Sequence, residues 1–369
     1  MFTTKAAVVE APGAPFTVQE VVLDDLRPDE VLVRVVAAGL CHTDLTVQAG
    51  GIPFRLPGIL GHEGAGIVEE IGSAVSSVVP GDKVLLSFTS CGSCPGCRSG
   101  HPAYCLTWVP LNLIQGVRDD GSATVHREGQ PLGGRFFGQS SFAGHAIADQ
   151  RSVVKVDADA PLDVLAPLGC GIQTGFGTVW NVLAPAPGTT LAVFGTGAVG
   201  LASIIAAAAL PLRAVIAVDR IPARLALARE LGATHCLNTE TDDIAASIGE
   251  ITGGQGLDGA IDTTAVPAVL RAAVDAVGVC GTCAIVGAPP GGTEVAFEVQ
   301  SLLPGKRIVG VTLGDGEPAT LLPQLVALHR TGRLPLEKLI KYYPPADLDV
   351  AARDLHDGTT IKPVIRFDN

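Results

Sequence analysis

The sequence predicts a two-domain α/β protein, in which a β-rich, partly barrel-like unit precedes a doubly wound parallel sheet. Three observations carry that expectation. The stretch from Thr190 to Asp219 runs from a short apolar segment into Gly195-Thr196-Gly197-Ala198-Val199-Gly200, then an apolar helix-like segment, then a β-branched run ending on an acid. That is strand, glycine loop, helix and strand. In the N-terminal third, β-branched runs are separated by turn residues and not by helices. Finally, 369 residues with 47% hydrophobic content exceed one compact domain and fill two cores.

Taken in order, KAAVV, PFTVQEVVL and VLVRVVAA, between residues 5 and 38, read as strands between Pro, Gly and Asp-rich turns. The pattern continues through residues 61–72 and 80–88. A cysteine-rich lobe at 91–105 interrupts it, and the polar, glycine-rich, weakly periodic stretch 108–134 predicts loops. Strand signals return at 136–149 and 152–156. From about residue 163 helix and strand alternate, as a parallel sheet requires. Helices are expected near 222–231 and 242–251, and strands near 235–237, 259–264, 282–287 and 307–311, giving about six strands with the opening pair. A helix at 318–329, a strand at 339–343, a helix at 346–355 and a strand at 361–367 close the chain. The β character of this tail predicts its return to the first domain, so the expected division is 1–163, 164–312 and 313–369.

The glycine loop has a specific chemistry. Gly195 permits a tight turn, Gly197 lets the backbone approach a pyrophosphate, Gly200 lets helix pack on strand, and the helix N-terminus offers free N–H groups to phosphates. Asp219 stands where a carboxylate binds a ribose 2′-hydroxyl and repels a 2′-phosphate, which favours NAD. Arg220 and Arg224 nearby are residues of the kind that accommodate that phosphate.

A net charge of −12 and a pI near 5.1 argue against nucleic acid or an anionic membrane surface as partner. The most apolar run, 201–210, is too short to span a bilayer, and the absence of a leader pattern predicts a cytoplasmic protein. In that reducing compartment the nine cysteines are read first as metal ligands or nucleophiles. Cys91, Cys94, Cys97 and Cys105 stand as C-x2-C-x2-C-x7-C. Four thiolates suit a tetrahedral zinc with no open position, which makes the site structural, with redox cysteines or an iron–sulfur cluster as the alternatives, and His101 is not needed as a ligand. Cys41 in GLCHTDL, His62 in GHEGAG and Cys170 in PLGCGIQTG complete the candidates. Two cysteines and a histidine form a catalytic zinc set, although spacing alone does not join Cys170 to the others.

CHTD, GHE, the four-cysteine lobe, GCG-x-x-TG and GTGAVG occur in the order and approximate spacing of the zinc-dependent medium-chain alcohol dehydrogenases, which the chain resembles over nearly its whole length. The resemblance implies a GroES-like catalytic domain, built from the first half plus the tail, around a Rossmann domain. It implies that Cys41, His62 and Cys170 hold a catalytic zinc with Glu63 beside it, and that Asp44 hydrogen-bonds His62. Thr43 would carry the alcohol proton, Thr174 and Val199 would lie beside the nicotinamide, and His42 and Lys362 would contact the pyrophosphate. Phe88, Trp108, Val199, Ile52, Leu111 and Phe137 would line the substrate pocket. The implied cofactors are NAD and two Zn²⁺ per subunit, and the implied reaction is reversible hydride transfer between an alcohol and nicotinamide C4. Residues 136–143 and 169–175 resemble the aryl and allylic branch, which acts on benzyl alcohol or geraniol-like alcohols. One departure is Thr46, which stands where many relatives carry a relay histidine. The alternatives are a thiol-dependent formaldehyde dehydrogenase, which needs an anion-binding pocket, a zinc-free quinone reductase and a non-catalytic NAD-binding protein; the last two would lack ligands that this chain retains. A homodimer or homotetramer pairing edge strands is expected.

Overall fold

The structure, a computed structural model, describes residues 2–367. One compact unit runs from the N-terminus to Cys170 and resumes at Glu317, and a second comprises Gly171–Gly316. The first boundary lies later than residue 163 because the turns Leu162–Leu165 and Ala166–Gly169 pack on strands of the first unit.

The first ten strands belong to the first unit: β1 (Phe2–Val9), β2 (Phe16–Leu23), β3 (Glu30–Gly39), β4 (Gly58–Ile59), β5 (Glu63–Ile71), β6 (Lys83–Leu86), β7 (Val125–Arg127), β8 (Gln130–Leu132), β9 (His145–Asp149) and β10 (Val153–Lys155). The second unit contains β11 (Thr190–Phe194), β12 (Ala214–Asp219), β13 (His235–Asn238), β14 (Leu257–Asp262), β15 (Val277–Ile285) and β16 (Arg307–Gly310). The tail supplies β17 (Ile340–Tyr343) and β18 (Lys362–Arg366), which return to the first unit.

In the first unit one sheet has the order β4-β1-β2-β7-β8 and the other β10-β6-β5-β3-β18-β17, with β9 also on β3. The sequence EVLVRVVAAG is apolar at almost every position, and β3 is accordingly buried on both faces. Its antiparallel register with β5 sets Gly39 opposite Glu63, and its register with β18 sets Gly39 opposite Val364. Three segments thus meet at one end of β3: its own exit toward Cys41, the start of β5 and the start of β18. The helix α1 (His42–Gln48) begins directly after that exit.

Two expectations are corrected here. The stretch 108–134 is not all loop: β7 and β8 form a hairpin whose two turn residues, Glu128 and Gly129, have φ of 51° and 77°, the signs of a type I′ turn. Within 136–149 only β9 is a strand, because Phe137, Gly138 and Ser140 adopt positive φ and turn the backbone out of any ladder.

The second unit is a parallel sheet of order β13-β12-β11-β14-β15-β16. Numbered from its first strand this is 3-2-1-4-5-6, the doubly wound dinucleotide-binding order. β11 and β12 are buried at every residue, as strands covered by helices on both faces must be. The helix α2 (Ala198–Ala208) is buried from Gly200 to Ala207, which explains why its sequence is apolar all round.

Candidate metal centre and cofactor site

In the first unit, Cys41, His62, Glu63 and Cys170 offer donor atoms that all lie within 4.8 Å of one another. Cys41 is the N-cap of α1, His62 and Glu63 stand at the start of β5, and Cys170 follows the turn Ala166–Gly169. Asp44, three residues into α1 and fully buried, joins two of these segments: Oδ2 accepts from Cys41 N at 2.9 Å, and Oδ1 accepts from Gly61 N at 3.0 Å and faces His62 Nδ1 at 3.1 Å. With Nδ1 donating to Asp44, Nε2 is the ring nitrogen left to bind a cation in place of a proton, and that buried atom has no hydrogen-bond partner among the described residues. Burial opposes charge on this imidazole, but the Asp44 carboxylate outweighs it and raises the pKa to about 10. The same carboxylate makes His62 a strong donor to a cation. Cys41 is held well below the ordinary thiol range, first by its hydrogen bond with Cys170, so that one sulfur of the pair carries a proton for both.

Lys362, at the start of β18, is 2% exposed. Its Nζ donates to Glu63 Oε1 at 2.9 Å, to Oε2 at 3.0 Å and to Leu40 O at 3.2 Å. Burial disfavours the ammonium, yet Glu63 outweighs it and raises the lysine pKa further. Lys362 is therefore a buried brace on Glu63, a pairing for which the sequence carries no signal. His42 is exposed, Thr43 places Oγ1 3.8 Å from Cys41 Sγ, and Thr46 donates Oγ1 to His42 O at 3.0 Å.

The His62 ring is enclosed by aromatics. Phe137 stacks on it with centroids 4.3 Å apart and planes at 25°, Phe136 meets it edge-on at 5.3 Å, and Trp108 meets Phe137 edge-on at 5.6 Å. Of the expected pocket residues, Phe137 thus touches the His62 ring, and Trp108 touches Phe137. Phe88 is buried just after β6, and Ile52 and Leu111 are half-buried. Phe136 was not anticipated; neither were Gln139 and Ser87, whose amide and hydroxyl bond main-chain groups beside His62 and Cys170.

Cys91, Cys94, Cys97 and Cys105 converge as a second group. Cys94 Sγ lies 3.5 Å from Cys97 Sγ, and Cys105 Sγ accepts from Cys91 N at 3.3 Å. Hydrogen bonds from the Ser93 and Cys94 amides lower the Cys91 pKa to about 5. His101 stands outside this group.

In the second unit, Gly195 has φ +89°, a Cβ on Gly200 would lie 1.9 Å from Gly195 O, and one on Gly197 would meet no atom within 4 Å. The loop is tight where helix meets strand and open where a phosphate approaches. Asp219, at the end of β12, accepts from Thr196 N and Oγ1, both at 2.7 Å, and from Arg220 N at 2.7 Å and Ile221 N at 2.9 Å. Burial raises its pKa, but the Thr196 bonds and the backbone amides hold it below the usual carboxylate range. Arg220 is exposed and Arg224 half-buried; Val199 is half-buried in α2, and Thr174 is buried in the helix Gly171–Gly177.

Residues 27–158 match the alcohol dehydrogenase GroES-like domain, and residues 198–328 the zinc-binding dehydrogenase domain. The chain is 41% identical to geraniol dehydrogenase of Castellaniella defragrans over 99% of its own length and 98% of that protein. It belongs to the zinc-dependent alcohol dehydrogenases.

As an alcohol dehydrogenase it is an oxidoreductase. Two solved structures are similar over their full lengths and its own: benzyl alcohol dehydrogenase from Acinetobacter calcoaceticus, with 42% identity and a TM-score of 0.96, and an alcohol dehydrogenase zinc-binding domain protein from Burkholderia ambifaria, with 48% and 0.97. The residues present fit the metal that the family name implies. Two sulfurs and an unpartnered imidazole nitrogen converge in one group, and four sulfurs, a structural zinc set, in the other. The open glycine loop likewise fits a dinucleotide phosphate. No helix among the described residues is long and apolar enough to cross a membrane.

Proposed function

We propose that this alcohol dehydrogenase oxidises primary aromatic and allylic alcohols, of the benzyl alcohol or geraniol type, to aldehydes with NAD⁺, and catalyses the reverse reduction. One observation carries the reading: the imidazole of the Cys41, His62 and Cys170 donor set lies against Phe136 and Phe137, and Trp108 packs edge-on to Phe137 behind them. Aromatic faces favour flat, unsaturated substrates over short aliphatic ones. The relatives named for geraniol and benzyl alcohol support it.

Zinc held by Cys41, His62 and Cys170 would supply Lewis acidity toward the alcohol oxygen, and NAD⁺ would accept the hydride. Asp44 keeps the His62 tautomer and orientation fixed. Thr43 would accept the alcohol proton on its hydroxyl oxygen while releasing its own hydroxyl proton to water, whereas the Thr46 hydroxyl is tied to the helix backbone and is no base near neutral pH. Lys362 compensates the buried charge of Glu63 next to the donor set. By the family resemblance, Thr174 and Val199 would face the nicotinamide and His42 the pyrophosphate. The ionised Asp219 repels a 2′-phosphate and so favours NAD⁺. Cys91, Cys94, Cys97 and Cys105 hold a second, structural zinc. The enzyme is cytoplasmic and assembles as a homodimer or homotetramer through the β16 edge, near which Val279, Val299 and Leu303 are each more than 70% exposed.

The test is the initial rate of NADH and NADPH formation with benzyl alcohol, geraniol, ethanol and formaldehyde plus thiol. The proposal predicts the highest kcat/KM for benzyl alcohol or geraniol with NAD⁺. Activity confined to ethanol or to the thiol adduct would overturn the substrate assignment.

A further inference from the structure

The loop from Gln139 to Phe142 runs along the chain that leads into His62 and bonds four consecutive carbonyls. Ser140 Oγ donates to Ile59 O at 2.6 Å, Phe142 N to Leu60 O at 3.0 Å, Ser141 N to Gly61 O at 2.8 Å, and Gln139 Nε2 to His62 O at 2.9 Å. Gln139 is 1% exposed and bonds beyond this row. Its Oε1 accepts from Gly64 N at 3.1 Å and its Nε2 also donates to Ser87 O at 2.8 Å. Ser87, fully buried, donates Oγ to Gly169 O at 2.7 Å, one residue before Cys170.

Asp44 therefore joins the Cys41 and His62 segments, and a relay through Gln139 and Ser87 joins the His62 and Cys170 segments. The surroundings are shaped for it. Gln139 is flanked by left-handed residues, Phe137 at φ 53°, Gly138 at 69° and Ser140 at 54°, conformations that persist where tertiary contacts fix them. Gly64 lies so close that a Cβ there would come 2.9 Å from Gln139 Oε1.

We infer that Gln139, acting through Ser87, is a positioning residue that sets the spacing between His62 and Cys170. This rests on the reading of Cys41, His62 and Cys170 as the ligands of the catalytic metal. A metal ion tolerates little displacement of its donors, so loosening this link weakens metal binding as outer hydrogen-bond partners of ligands generally do, by about 10- to 100-fold.

The experiment compares the wild type with Gln139→Met, which keeps the volume and removes all three bonds, and Ser87→Ala, which removes the bond to Gly169. Zinc release to a chromogenic chelator, the visible spectrum after cobalt substitution and separate kcat and KM values are measured. The expected result is release of one of two zincs at least about tenfold faster in Gln139→Met, a smaller change of the same sign in Ser87→Ala, an altered cobalt spectrum, and a fall in kcat with little change in KM for NAD⁺. Wild-type release rates and spectra in a folded Gln139→Met, even with lowered thermal stability, would overturn the inference while leaving the metal centre intact. If Gln139→Met does not fold, the same outcomes in Ser87→Ala decide. A wild type that holds only the four-cysteine zinc would overturn the inference together with the reading beneath it.

Discussion

Asp44 exposes no atom and serves three partners, the amides of Cys41 and Gly61 and the imidazole of His62. Replacing it by Ala leaves those donors unpaired and frees the ring, so Asp44→Ala should bind the catalytic metal about 10- to 100-fold more weakly. A chelator titration of zinc affinity checks this. His145 gives a prediction in pH. Burial depresses its pKa and the nearby Glu69 only partly opposes that. Because the folded value lies below the unfolded one, near 6.5, its stabilising contribution is full above about pH 6.5 and is lost as the pH falls through the folded value. His145→Gln should accordingly flatten the acid side of the Tm-against-pH profile, with little change at pH 8.

Among elements, the lobe 91–105 is the one with least core of its own. Only Pro102, Ala103 and Cys105 within it are buried, so its order depends on what the four sulfurs hold. Cys94→Ala should reduce zinc from two to one per chain and open the lobe to protease, as elemental analysis and limited digestion would record. This lobe was legible in the sequence because its four donors lie within fifteen residues. So was the unit from β11 to β12, where period, glycines and acid agree over thirty residues. The segment 136–142 was not legible as a turn. Its phenylalanines have strand character, and the positive φ values at Phe137 and Ser140 flank a loop held by bonds from Gln139 to Phe142 onto residues 59–62 that no local pattern announces. The β7–β8 hairpin escaped for a simpler reason: its strands are three residues each, and its turn is Glu-Gly and not Asn-Gly. Cys170 was joined to Cys41 and His62 only through the family resemblance, since it lies 108 positions after His62.

For the whole molecule, the return of β18 to β3 matters most. It brings Lys362 to Glu63 across 299 positions of sequence and completes the charged surroundings of the donor set. The sheet of the second unit ends at β16, and the apolar side chains exposed near that edge are the proposed meeting surface of two subunits. A Val299→Asp, Leu303→Asp double variant should shift the protein toward monomer in analytical ultracentrifugation without loss of zinc.

Cys41, His62 and Cys170 form the proposed catalytic zinc centre, apart from the four-cysteine lobe. The most direct test is His62→Ala, assayed for zinc per chain and for the rate of benzyl alcohol oxidation in one preparation. One zinc is expected where the wild type holds two, with the rate reduced by at least about a thousandfold and the lobe still ordered. Wild-type activity with one zinc, or two zincs retained with the rate unchanged, would contradict it.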